Sequence, residues 1–222
     1  AGRHQESLAE LSKFLQAQPA PGPAHFVSGL ALLKLGRPCE AIAPLETARK
    51  WKASSEVLIE LGDAYQGCRR WELAGAAYEQ AARLNPADKR IPRQLAHCWW
   101  MARRYDKAKP VFESIQGAHG GDAEFLFEYG DTLVRSEGPE AGLALLEKAA
   151  AVDPKLVPAR AALGRALLDL DRAGDALPHL ELAAAHDAAA LLPLSRAYRA
   201  LGRTEEAARA EKEYKTKLAG PR

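Results

Sequence analysis

A ladder of small residues constrains this chain more than any other feature. The second member of each Leu-Gly-like pair gives Gly29, Gly62, Ala96, Gly130, Gly164 and Ser195, at gaps of 33, 34, 34, 34 and 31. Three residues beyond each stands a large apolar residue: Leu32, Tyr65, Trp99, Leu133, Leu167 and Tyr198. Nine further on comes a second small residue: Ala41, Ala74, Ala108, Gly142, Ala176 and Ala207. Another large residue follows four later in five copies (Leu45, Tyr78, Phe112, Leu146, Leu180), with Glu211 the exception. Such gaps make one face of a helix, a break, and one face of a second helix. Small residues let two helix backbones approach where they cross, and large ones fill the space beside the crossing. The clearest copy runs from Leu61-Gly62 to Asn85-Pro86.

On these residues the sequence resembles the tetratricopeptide repeat (TPR) family, whose period is about 34 residues. The resemblance covers essentially the whole chain and is of the bacterial scaffold type. It implies an all-α, right-handed α-solenoid of antiparallel helix pairs, with first helices lining a concave groove. One departure is local: the family's early Trp is replaced by His25, Leu58, Pro92, Leu126, Arg160 and Leu191.

Read in order, residues 2–19 make a half repeat, with a stripe of Leu8, Leu11, Phe14 and Leu15 closed by Pro19. No first helix precedes them, so a boundary drawn within a repeat is expected; a natural N-terminal cap is the alternative. Full repeats follow at 22–54, 55–88, 89–122, 123–156, 157–187 and 188–218. Gly36-Arg37, Arg103-Arg104, Gly138-Pro139 and Gly202-Arg203 mark inter-helix turns. The third junction carries Gly117, Gly120 and Gly121 in place of a closing Pro, so a hinge is expected at 117–121. Pro44, Pro110 and Pro178 should either sit near the starts of their second helices or bend them. The polar helix from Glu205 to Leu218 reads as the terminal cap that a solenoid needs, and so as the end of the array.

Composition narrows the function. With 31 basic and 29 acidic residues the net charge is +2, too balanced for nucleic-acid binding by phosphate neutralisation. No apolar run approaches the roughly 20 residues of a membrane span. Cys39, Cys68 and Cys98 are odd in number and about one repeat apart, so free buried thiols are expected rather than a disulfide framework. That favours a reducing, cytoplasmic setting; a periplasmic or exported one stays open if an upstream segment is removed.

Catalytic constellations do not emerge. His4, His25, His97, His119, His179 and His186 fall in different repeats, and adjacent His97-Cys98 cannot chelate from a helix. The glycines at 117–121 lack the strand and Lys of a phosphate loop. No enzyme activity, cofactor or metal is expected. What remains is the first-helix face, where residues at i, i+4 and i+7 give the candidate groove: Phe26, Ile59, Asp63, Arg93, His97, Trp100, Phe127, Asp131, Arg165, Arg196 and Arg199. Leu30, Leu33, Val134 and Leu168 on the same stripes are expected to pack between neighbours. The Lys/Asn clamp with which chaperone-docking relatives hold a terminal carboxylate is not matched. The expected function is a non-catalytic protein–protein interaction scaffold that binds a peptide or helix in its groove, centred on the third and fourth repeats. Its partner should be apolar in the middle and acidic where it meets Arg165, Arg196 and Arg199. Two alternatives are an interaction arm of a larger enzyme such as a transferase, and a structural assembly subunit; the oligomeric state is left open.

Overall fold

A computed structural model of the chain describes residues 22–219, so the expected half repeat at 2–19 lies outside the described residues. Twelve α-helices fill that range: α1 (Gly22–Lys34), α2 (Pro38–Trp51), α3 (Ser55–Gly67), α4 (Trp71–Leu84), α5 (Ile91–Met101), α6 (Tyr105–His119), α7 (Ala123–Glu137), α8 (Pro139–Val152), α9 (Val157–Asp169), α10 (Ala173–His186), α11 (Leu191–Ala200) and α12 (Thr204–Ala219). A single 3₁₀ turn, Ala188–Ala190, leads into α11, and no strand occurs among the described residues. The fold is all-α, with helices packed in consecutive pairs. Two compact units part between Ile115 and Gln116.

The ladder explains the pairing directly. A Cβ placed on Gly29 would lie 2.4 Å from Leu45, on Gly62 2.8 Å from Tyr78, on Gly130 3.0 Å from Leu146, and on Gly164 2.5 Å from Leu180. In each of these copies the large residue sixteen positions on covers the glycine and is fully buried. Gly142 goes further: its Cβ would sit 2.1 Å from the Gly130 carbonyl oxygen, so α7 and α8 touch backbone to backbone. In the last pair the same positions are polar. The buried Ser195 hydroxyl donates to Glu211 at 2.9 Å, and Arg199 also pairs with Glu211.

Turn geometry repeats with equal regularity. Seven residues after the ladder position, Gly36, Arg69, Arg103, Asp171 and Gly202 take positive φ values of 70°, 58°, 57°, 58° and 75°. The N–H of the following residue then returns to the carbonyl of the large ladder residue: Arg37 to Leu32 (2.9 Å), Arg70 to Tyr65 (2.8 Å), Arg104 to Trp99 (2.8 Å), Arg172 to Leu167 (2.9 Å) and Arg203 to Tyr198 (2.8 Å). These closures satisfy carbonyls that a helix end would otherwise leave bare. Only the fourth repeat differs. There one extra residue places Gly138 at φ 112°, and its N–H bonds Val134 instead. Ser54 and Asp122 cap α3 and α7 by accepting from the Val57 and Phe125 amides. Pro44, Pro110 and Pro178 lie inside α2, α6 and α10, in their second turns, and the helices continue past them.

The expectation of three free thiols is corrected. Cys39 and Cys68 form a disulfide, their Cα atoms 5.3 Å apart, and Cys98 is a buried thiol outside it. Stacking supplies the reason. A separation of 29 is close to one repeat, so the first turn of α2 and the C-cap of α3 become neighbours in successive pairs. Gly67 packs on Pro38 beside the bond, leaving no room for a Cβ. The argument for a reducing compartment from free thiols falls with it.

Candidate functional site

In the first unit, the predicted face residues divide among three places. Phe26 is half-buried on α1 and lines a 240 Å³ pocket with Gly22, Pro23, Ala48, Trp51, Lys52, Ser54, Glu56 and Val57. Ile59, on α3, lines a second pocket of 280 Å³ with Ser55, Glu56, Glu60, Asn85, Asp88 and Arg90. Asp63, one turn along, accepts a hydrogen bond from the Tyr78 hydroxyl, which also reaches Gln66 at 3.2 Å. Desolvation lifts the Asp63 carboxyl above its ordinary value, against the pull of the Tyr78 hydrogen bond and the Arg90 charge.

Arg93, His97 and Trp100 are half-buried along α5. The His97 ring stands edge-on to Trp71 at 5.8 Å between centroids and lies 5.9 Å from Trp100 at a tilt of 45°. Sequence reading placed His97 and Trp100 together but missed Trp71, the first residue of α4. Its position just after the inter-helix turn was the available signal. Trp99, in contrast, is buried core, capped by the Lys107 ammonium 4.1 Å above its ring.

The second unit holds the remaining candidates. Phe127 on α7 is half-buried and packs against the apolar core around Leu126, Ala149 and Ala159, so much of its area serves packing. Asp131 pairs with Arg135 at 3.4 Å. Arg165 is half-buried on α9. Arg196 pairs with Asp169 at 3.3 Å, and Arg199 with Glu211. Acids of this chain therefore already meet two of the three arginines. Leu168 is buried in the core, and Val134 packs against it with its Cγ2 beside Gly142 of the paired helix.

Among the described residues no group of three or more His, Cys, Asp or Glu could hold a metal ion, and no helix is long and apolar enough to cross a membrane. His179 takes a hydrogen bond from Arg160 at 3.1 Å, and burial together with the Arg160 charge pushes its imidazole below its ordinary value, as a neutral structural partner.

Solved structures with this arrangement include MamA 41-end from Desulfovibrio magneticus RS-1, at 22% identity and a TM-score of 0.64 over 75% of this chain and 97% of that one. YrrB, described as a TPR protein with an unusual peptide-binding site, matches at 15% identity and 0.63 over 91% and 97%. Pseudomonas aeruginosa PilF matches at 18% and 0.66 over 90% and 93%. At such identities these likenesses establish the fold. No curated protein sequence matches. The family profile of the tetratricopeptide repeat matches residues 1–55 and 59–123, more than half of the 222 residues. With the ladder, the paired helices and the shared fold, this chain belongs to the tetratricopeptide repeat family.

Proposed function

We propose that the chain is a non-catalytic scaffold that binds a peptide or helix of a partner protein on its first-helix faces. The observation that carries this reading is the contrast between the two sides of the first helices in the first unit. Towards the second helices they bury Leu58, Leu61 and Trp99 to 2% exposure or less. On the predicted groove stripe, large residues such as Phe26, His97 and Trp100 stay partly open, and Phe26 and Ile59 line pockets of 240 and 280 Å³. Half-exposed aromatics next to arginine are the residue types that dominate interface energies. YrrB, of the same fold, is described as having a peptide-binding site, which supports the same class of ligand here.

In the second unit Arg165 is the residue to which an acidic partner group would go, since Arg196 and Arg199 are engaged by Asp169 and Glu211. A proteome pull-down with the chain delivers the partner. Trp100→Ala and Phe127→Ala, made in proteins shown to fold normally, should each weaken binding by about 2 kcal/mol. Retention of full affinity by both would move the binding surface elsewhere.

A further inference from the structure

The two pockets of the first unit are one feature repeated. Adding 33 to Gly22, Pro23, Phe26 and Lys52 gives Ser55, Glu56, Ile59 and Asn85, so corresponding residues line both junctions. Their chemistry differs. At the first junction, Phe26, Val57 and Trp51 make an apolar slot. Trp51 is 60% exposed, yet one side of its ring lies on Gly22, where a Cβ would come within 2.4 Å of it. The attached end of the ring is thereby fixed against α1, with area still open to water. At the second junction, Ile59 supplies a small apolar floor under Glu56, Glu60 and Asp88. The cation among its described lining residues, Arg90, is tied to Asp88 at 2.7 Å, and Lys34 of α1 also acts on Glu60. Glu60 is half-buried and makes no ion pair or hydrogen bond among the described residues, with Asp63 one turn further on. Glu56 lines both pockets and joins them into one track along the start of α3.

We infer that these junctions are consecutive side-chain pockets for an extended partner segment, the first taking a large apolar side chain and the second a lysine or arginine. Charge complementarity decides the occupant: three carboxylates around one already paired guanidinium leave a deficit that a basic residue fills, directly beside an exposed aromatic slot. Spacing follows from the repeat. Neighbouring packed helices lie about 8–10 Å apart, and an extended chain of polyproline II form advances about 3.1 Å per residue with three residues per turn, which returns side chains three apart to one face. The two side chains are thus about three residues apart in the partner. This deepens the scaffold reading, on which it rests, by naming the partner chemistry at the N-terminal end of the face.

Peptide display against the immobilised chain tests it. Selected sequences should pair Phe, Trp, Leu or Met with Lys or Arg about three positions away. A synthetic selected peptide should bind Trp51→Ala about 30-fold more weakly, with Phe26→Ala as the second variant, both checked by thermal melting. The double change Glu56→Gln with Glu60→Gln should erase the preference for Lys over an uncharged side chain of equal length. Selection of acidic or unspaced sequences overturns the inference. So does selection of nothing. A peptide lost with Trp100→Ala but untouched by Trp51→Ala would uphold the broader scaffold reading and sink this one; the reverse would keep these pockets and remove the central site.

Discussion

The two units follow one ladder and fill it differently. In the first, Leu45 covers Gly29, but large rings are laid over the next glycines: Tyr78 over Gly62 and Trp99 over Gly75, each at 2.8 Å from where a Cβ would be. In the second, backbones themselves meet at Gly130 and Gly142, and the core is largely alanine, with Ala162, Ala166, Ala176 and Ala183 buried. The choice has consequences beyond packing. A tyrosine under a groove helix must send its hydroxyl to a partner, and Tyr78 sends it to Asp63, on the predicted binding face. An alanine core makes no such demand. Much of the first unit's surface chemistry is thus tied to how its interior is filled, whereas the second unit's candidate arginines are free to pair with local acids.

The largest expected effect lies in the first unit, where the repeats are also joined covalently. Cys39→Ser should cost about 3–4 kcal/mol in urea unfolding, the loop entropy for a separation of 29. Reduction of the native protein should give the same loss, and Cys98→Ser a much smaller one. An unchanged midpoint after reduction would show that stacking alone holds these repeats.

Next comes the glycine contrast. Gly142→Ala should cost about 3 kcal/mol, because a carbonyl oxygen in a helix cannot step aside, and Gly62→Ala about half that, because a ring edge can shift. Equal costs would erase the distinction between ring-filled and backbone-filled pairs.

Glu211→Ala should cost about 1–2 kcal/mol, since it strands the buried Ser195 hydroxyl. Converting the site to the pattern of its siblings, Ser195→Ala with Glu211→Leu, should recover most of that loss. A double variant no better than the single one would mean that the polar pair is required by the terminal helix itself.

A smaller effect concerns acid. Burial opposes ionisation of Glu46, but hydrogen bonds from Tyr65 and Arg49 outweigh it and hold the carboxyl below its ordinary 4.5. A carboxylate depressed in the folded state contributes stability above its ordinary value and loses it as pH falls through the folded value. The melting temperature should therefore drop below about pH 4.5 less steeply in Glu46→Gln than in the native chain.

The smallest change in stability, and the sharpest in dynamics, is expected at 117–121. Gly117 ends up inside α6, and neither it nor Gly121 has any atom within 4 Å of a would-be Cβ, so packing does not require glycine at either position. Fast amide exchange there would support a hinge; slow exchange matching the flanking helices would remove it.

The ladder was legible because spacing is a local property. Sixteen residues from Gly29 to Leu45 or from Gly164 to Leu180 suffice to say that one covers the other, given two helices and a short turn. Even the departure at Glu211 announced a polar ending, though not that Ser195 and Arg199 would both turn to it. The turns were half legible. Gly36, Gly138 and Gly202 are glycines where the chain needs unusual φ, but Arg69, Arg103 and Asp171 take the same conformation without the signature residue, held there by the helix-closing hydrogen bonds.

Membership of the family and the helix pairs were thus determined by the sequence alone, through period and side-chain size. Only the tertiary structure decided that Cys39 meets Cys68, that Trp51 packs on Gly22 beside Phe26, and that Asp169 and Glu211 engage two of the candidate arginines. The physical reason is common to all three. Each joins residues of different helices across a repeat step or a turn, where distance is set by how neighbouring helices stack rather than by any pattern along one of them.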